Sequence, residues 1–198
     1  MARTGRPREF DPDEVLARAR DLFWSQGYAT TSVQDLVDVL AVHRGSLYAA
    51  FGDKHSLYLK AVELYARENR ERADAALRDG PVLGALRQML VAPATLTRTG
   101  TDSRQGCLVG NTTAELVPAD AEARTLVAAA YDGFIEVMTA ALERAQASGE
   151  VTTESSPRAQ AALLLLIFQG LALVSRAGGD RDRLIAGVDA ALDGLRAR

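Results

Sequence analysis

Between Thr31 and Phe51 the chain has room for two short helices and a tight turn, and for little else. Thr31 or Ser32 caps a helix whose apolar residues Val33, Leu36, Val37 and Leu40 follow the i, i+3, i+4, i+7 rule over only two turns. A very short helix is then predicted from about His43 to Ala50. A pair of this kind buries little by itself, and the motif that uses it is a helix-turn-helix. The junction needs apolar residues where the helices meet and finds Leu36, Leu40, Val42 and Leu47, with Phe51 closing the second helix against the preceding one. His43, Arg44, Ser46 and Tyr48 are left facing outward. Those side chains suit a DNA groove: arginine can fork onto a guanine edge, serine can donate or accept, and tyrosine and histidine can reach phosphates.

The flanking segments are also helical by pattern, and no stretch alternates apolar and polar residues long enough for a sheet. Asp11 as N-cap, Pro12 at the first helical position and the stripe Val15, Leu16, Ala19, Leu22, Phe23 mark a helix that Gly27 ends. Asp53 caps a long helix running to Asp79-Gly80-Pro81. Further helices are expected from Pro81 to about Ala92, where Pro93 argues for a stop, from Cys107 to about Leu116, and from Asp120 to Ser148. Two more run from Pro157 to Ser175 and from Asp180 to Ala197, with a polar loop expected over Thr97 to Gly106. The fold class is all-α, about nine helices, with an N-terminal three-helix head and a C-terminal helical domain.

Thr31-Ser32-Val33-Gln34-Asp35-Leu36, Val42-His43-Arg44-Gly45-Ser46-Leu47-Tyr48 and Phe51-Gly52-Asp53-Lys54 together resemble the DNA-binding domain of the tetracycline-repressor (TetR) family, as does the opening run Gly5 to Asp11. The resemblance implies a DNA-binding domain over residues 5–66 and a ligand-binding and dimerisation domain over residues 67–198. It implies phosphate contacts at Thr31, Ser32, Tyr48 and Lys54, and approach to the bases at Arg44, Gly45 and Ser46. Two positions depart from the family pattern: Val37 stands where a small residue is usual, and Ala41 where a turn glycine is usual. Held at φ > 0, Ala41 would cost about 1 kcal/mol relative to glycine.

Charge and composition limit the other classes. The net charge of −3 argues against indiscriminate coating of nucleic acid. Residues 1–60 balance eight Lys/Arg with eight Asp/Glu, and both lysines and both histidines, His43 and His55, fall between positions 43 and 60. Arg3, Arg6 and Arg8 precede any helix signal and read as an arm for an adjacent minor groove, or as a solvated tail. A single cysteine, Cys107, leaves no intrachain disulfide and no thiolate zinc cage, and the histidines lie twelve apart without a ligand partner. No signal segment stands at the N-terminus, and the longest apolar stretch, Ala161 to Val174, falls short of the roughly 20 residues a span needs, so a cytoplasmic protein with no membrane partner is expected. No Ser/His/Asp set, carboxylate pair or phosphate loop stands out, so neither an enzyme nor a cofactor is expected.

For the C-terminal half the expectation is a small-molecule effector bound between central helices. Met89, Tyr131, Phe134, Met138 and Phe168 could line the site, with Asn111 and Gln169 as polar contacts, though most are equally good core residues. Cys107, beginning a helix, is either a small buried hydrophobe or a thiol responsive to oxidants and electrophiles. The last two helices, 157–175 and 180–197, carry more apolar surface than a monomer needs, which suggests a homodimer built by pairing them. Symmetry would then set two recognition helices about 34–36 Å apart on a pseudo-palindromic operator. Effector binding would shift the dimer away from that spacing, with the helix from Asp53 to Arg78 as the lever and repression as the expected outcome. An activating or ligand-independent dimeric DNA-binding or partner-binding protein is the alternative.

Overall fold

In the computed structural model, which describes residues 10–95 and 105–197, Asp11 Oδ1 accepts the Asp13 amide at 2.9 Å and opens α1 (Pro12–Gln26). Gly27, at φ 91°, closes it by donating its amide to the Phe23 carbonyl. Then follow α2 (Val33–Leu40), α3 (Arg44–Phe51) and α4 (Lys54–Leu77). The chain divides into two compact units within α4, the first ending at Tyr65 and the second beginning at Ala66. In the first unit Phe23 packs edge-on against Tyr58 at 5.0 Å, Trp24 against Tyr65 at 5.1 Å, and Leu36, Leu40, Leu47 and Leu57 are all buried. Each such leucine contributes about 1.5–3 kcal/mol by leaving water.

The second unit holds α5 (Val82–Thr95), α6 (Leu108–Glu115), α7 (Ala121–Ala147), α8 (Pro157–Arg176) and α9 (Arg181–Asp193), making nine helices among the described residues. The pairing of α7 with α8 is its most extensive contact, and α5 packs on α8 and α9. Leu86, Leu90, Met138, Leu142, Leu164, Val188 and Leu192 form the centre of one core cluster.

One end of this unit is tied by polar groups. The Glu150 carboxylate accepts the Val82 and Leu83 amides, each at 2.8 Å, and so caps α5 from 67 and 68 residues away. Arg144 Nη2 donates to the Leu77 carbonyl at 2.6 Å, at the end of α4. The Thr152 amide donates to the Leu195 carbonyl at 2.9 Å and the Ala197 amide to the Glu150 carbonyl at 3.1 Å, so residues 195–197 close over the same corner.

Three expectations need correction. The fifth helix does not stop at Pro93 but runs to Thr95, because proline deletes its own amide bond and crowds the carbonyl four residues back without preventing the next residues from turning. The last helix ends at Asp193 rather than Ala197: beyond Gly194, Arg196 forms an isolated antiparallel bridge with Val151. By length and composition both α7 and α8 would pass as membrane spans, since alanines extend each apolar stretch without adding charge. In this fold they pack chiefly on one another. Residues 1–9, with the arginine arm, and most of the expected loop over Thr97 to Gly106 lie outside the described residues.

Candidate nucleic-acid interface

Ser32 starts α2 with a reciprocal cap: its amide donates to Asp35 Oδ2 at 2.8 Å and its Oγ accepts the Asp35 amide at 3.1 Å. The Ser32 hydroxyl first, and the Ser32 amide second, favour the charged Asp35 carboxylate and hold it below the usual aspartate range. The helix ends at Ala41, the one non-glycine residue with positive φ among those described, at φ 55° and ψ 35°. After Val42 turns inward, His43 starts α3, with no side-chain cap bond.

On α3 the inward face is Leu47 and Phe51, both buried. His43, Arg44 and Ser46 are exposed and Tyr48 is half-buried, the outward set expected from the spacing, and Gly45 among them is exposed as well. The Arg44 guanidinium stands 5.4 Å from the Tyr48 ring centroid, a contact that restrains both side chains. Gly45 has open space around it: a Cβ built there meets no atom within 4 Å. At the start of α4 the Asp53 carboxylate accepts the Ser56 amide at 2.7 Å, which lowers its pKa from the ordinary value. Lys54 Nζ lies 4.3 Å from the Tyr28 ring centroid, so Tyr28 carries it at the edge of the same unit.

Thr31 differs from its expected place. It is fully buried and its hydroxyl donates to the Gly27 carbonyl at 2.6 Å, because Ser32 rather than Thr31 takes the cap and the preceding residue must then face the core. Ser32 itself is exposed. A residue that pattern reading passed over is Arg18 of α1, whose guanidinium donates to the Val39 and Leu40 carbonyls at the end of α2. No local signal announces it, since its partners lie 21 and 22 residues on.

The expected effector residues separate into two groups. Phe134 and Phe168 stack at 5.7 Å and pack with Met89 against the core cluster, inside which Met138 is completely buried. The second group is polar. Gln169 Nε2 donates to Cys107 Sγ at 3.7 Å, and the Gln169 carbonyl fills the notch at Gly110, where a Cβ would come within 2.4 Å of it. Thr113, which no sequence signal marks out, shares a 2.8 Å hydrogen bond with the Tyr131 hydroxyl. Burial raises the Tyr131 pKa above its ordinary value, and Cys107 nearby adds to the rise. Asn111 Nδ2 donates to the Gln105 carbonyl at 2.9 Å, and Cys107 is buried as the N-cap of α6.

Residues 15–61 match the family described as bacterial regulatory proteins, tetR family, and residues 83–191 match the tetracyclin repressor-like C-terminal domain. The chain is 31% identical over 196 residues to the HTH-type transcriptional regulator YezE of Bacillus subtilis, covering 96% of this chain and 99% of that one. It is 29% identical over 183 residues to the HTH-type transcriptional repressor ComR of Escherichia coli, covering 91% and 87%. Among solved structures it is similar to a cysteine-substituted TetR family transcriptional regulator CifR in complex with 26-bp double-strand operator DNA. That likeness has a TM-score of 0.81 and 27% identity, and covers 96% of this chain and all of the other.

Proposed function

Because the chain belongs to the TetR family of bacterial regulatory proteins, we propose that it is a homodimeric DNA-binding repressor released from a pseudo-palindromic operator by a small molecule. The observation that carries the reading is the outward face of α3: His43, Arg44, Gly45 and Ser46 are exposed while the same helix buries Leu47 and Phe51. Gly45 supports it further, since nothing in the chain crowds that position and close approach of a duplex accounts for the missing side chain. Arg44 and Ser46 read bases, while Ser32, Tyr48 and Lys54 hold phosphates. DNA binding is assigned to residues 5–66, and effector binding with dimerisation to residues 67–198.

The exposed apolar side of α8 supplies the dimer contact. Leu166 and Leu173 are each 70% exposed, with Leu163 and Val174 beside them in sequence register. Pairing α8 and α9 with those of a second copy covers this surface and requires no membrane, and the protein acts in the cytoplasm where its operator is. The Phe134–Phe168 stack and the Tyr131, Cys107 and Gln169 group offer an apolar wall and polar contacts for the effector.

A second reading rests on the Gln169 contact to Cys107. In this reading an oxidant or electrophile acting on that sulfur is the signal, and Cys107→Ser then abolishes the response.

The experiment is selection of duplexes from a randomised library by the purified full-length chain, followed by titration at several salt concentrations. Enrichment of a pseudo-palindrome bound with a steep salt dependence is expected. Failure to enrich any duplex at low salt rejects the reading.

A further inference from the structure

The end of α2 is closed differently from its neighbours. α1 and α3 each stop at a glycine with positive φ, Gly27 and Gly52, whose amide donates back to the carbonyl four residues earlier. Among the described residues α2 has no such amide bond, and its left-handed residue is Ala41. The last carbonyls of a helix must find donors elsewhere. Here the donor comes from another helix: Arg18 Nη2 bonds the Val39 carbonyl and Nη1 lies 3.5 Å from the Leu40 carbonyl. A guanidinium in that place also meets the negative end of the helix dipole.

The position of this contact matters more than its strength. Only Ala41 to His43 separate α2 from α3, so the backbone angles at Ala41 and Val42 set the direction in which α3 presents Arg44 and Ser46. Alanine disfavours the left-handed angles that the turn adopts, and nothing within α2 holds it there. Arg18 bridges the carbonyls immediately before that residue to α1, itself anchored by buried Val15, Ala19, Leu22 and Phe23.

We propose that Arg18 is a positioning residue for DNA recognition: it bolts the end of α2 to α1 and so holds the Ala41 turn, and with it the aim of α3, in place of the glycine cap that this turn lacks. The proposal rests on the DNA-binding reading of α3 and adds to it a specificity role for a residue outside the motif.

The test uses the full-length chain, a duplex it selects from a randomised library, and a scrambled duplex of equal length. Arg18→Met, which keeps the stem and removes the donors, is expected to weaken binding to the selected duplex about tenfold while the scrambled duplex changes by less than about threefold. The salt slope is expected to stay the same. Adding Ala41→Gly is expected to recover most of the loss, because glycine holds a left-handed turn unaided. Unchanged affinity for the selected duplex overturns the proposal, as does a missing Ala41→Gly rescue. A salt slope reduced by about one, with both duplexes weakened alike, marks Arg18 as a plain phosphate contact and also overturns it. Should Arg18→Met not fold, amide exchange is read in Arg18→Lys: faster exchange over residues 41–43 supports the bolt, and unchanged protection rejects it. An unaltered chain that enriches no duplex fails the functional reading itself, whereas an altered chain that binds like the unaltered one fails this inference alone.

Discussion

Ser32 and Asp35 cap each other, the Ser32 amide donating to Asp35 Oδ2 at 2.8 Å while the Asp35 amide donates to Ser32 Oγ at 3.1 Å. The exchange starts α2 in register, and it carries a pH signature. Asp35 titrates below its unfolded value of about 4, so its stabilising contribution is present above that value and is lost as pH falls through the folded pKa. Asp53, bonded by Ser56, and Asp189, beside Arg87, shift in the same direction. Urea denaturation followed from pH 7 to about pH 3 is expected to show an acid limb that is shallower in Asp35→Asn than in the unaltered chain.

Arg44 and Lys54 are expected to fail in different ways. Arg44→Ala should weaken the selected duplex by about 10- to 100-fold and relax the preference at one base step, with little effect on scrambled DNA. Lys54→Ala should weaken both duplexes alike and lower the salt slope by about one. Fluorescence anisotropy titrations at several salt concentrations separate the two patterns. Equal losses on both duplexes for Arg44→Ala would remove it from the base-reading set.

The apolar side of α8 makes a prediction about assembly. Leu166→Glu combined with Leu173→Glu places two charges on side chains that are each 70% exposed in the single chain, so the monomer should fold as before. Sedimentation velocity is expected to shift from dimer to monomer, with operator affinity falling because two half-sites can no longer be held together. A doubly substituted chain that stays dimeric would place the interface elsewhere.

Glu150 offers a stability test within the second unit. Glu150→Ala strips both amide partners from the start of α5 and should cost about 2 kcal/mol, read from the urea midpoint. The Arg87–Asp189 pair, at 2.6 Å but with both side chains well exposed, should matter far less when Arg87 is replaced by alanine, since water and salt screen it. Equal effects would mean that the Glu150 cap adds nothing beyond a surface ion pair.

Much of the fold was legible because helix starts are written locally. Asp11, Ser32, Asp120, Ser156 and Asp180 each accept an amide of the first turn, and each stands in the sequence immediately before its apolar periodicity begins. Ends were harder. The stop expected at Pro93 and the run expected to Ala197 do not hold, because one missing amide bond does not end a helix and because Val151, remote in sequence, pairs with Arg196. In the helix-turn-helix the spacing identified the exposed side of α3, yet could not tell which of Thr31 and Ser32 faces outward, since either residue type can cap. Arg18, Glu150 and the Thr113–Tyr131 pair escaped notice for one reason: each acts on a partner fixed by tertiary structure, and local pattern carries no trace of it.

Gly45 has open space around it, so if α3 meets a duplex as proposed, folding and promoter binding set different conditions on this one residue. Alanine there would shield helical backbone and suit the isolated protein at least as well, so a screen for thermal stability would favour it. A screen for gene silencing would discard the same change, because the added methyl would stand between the helix and the floor of the groove. Disagreement between the two screens at this residue would identify the side on which the duplex lies.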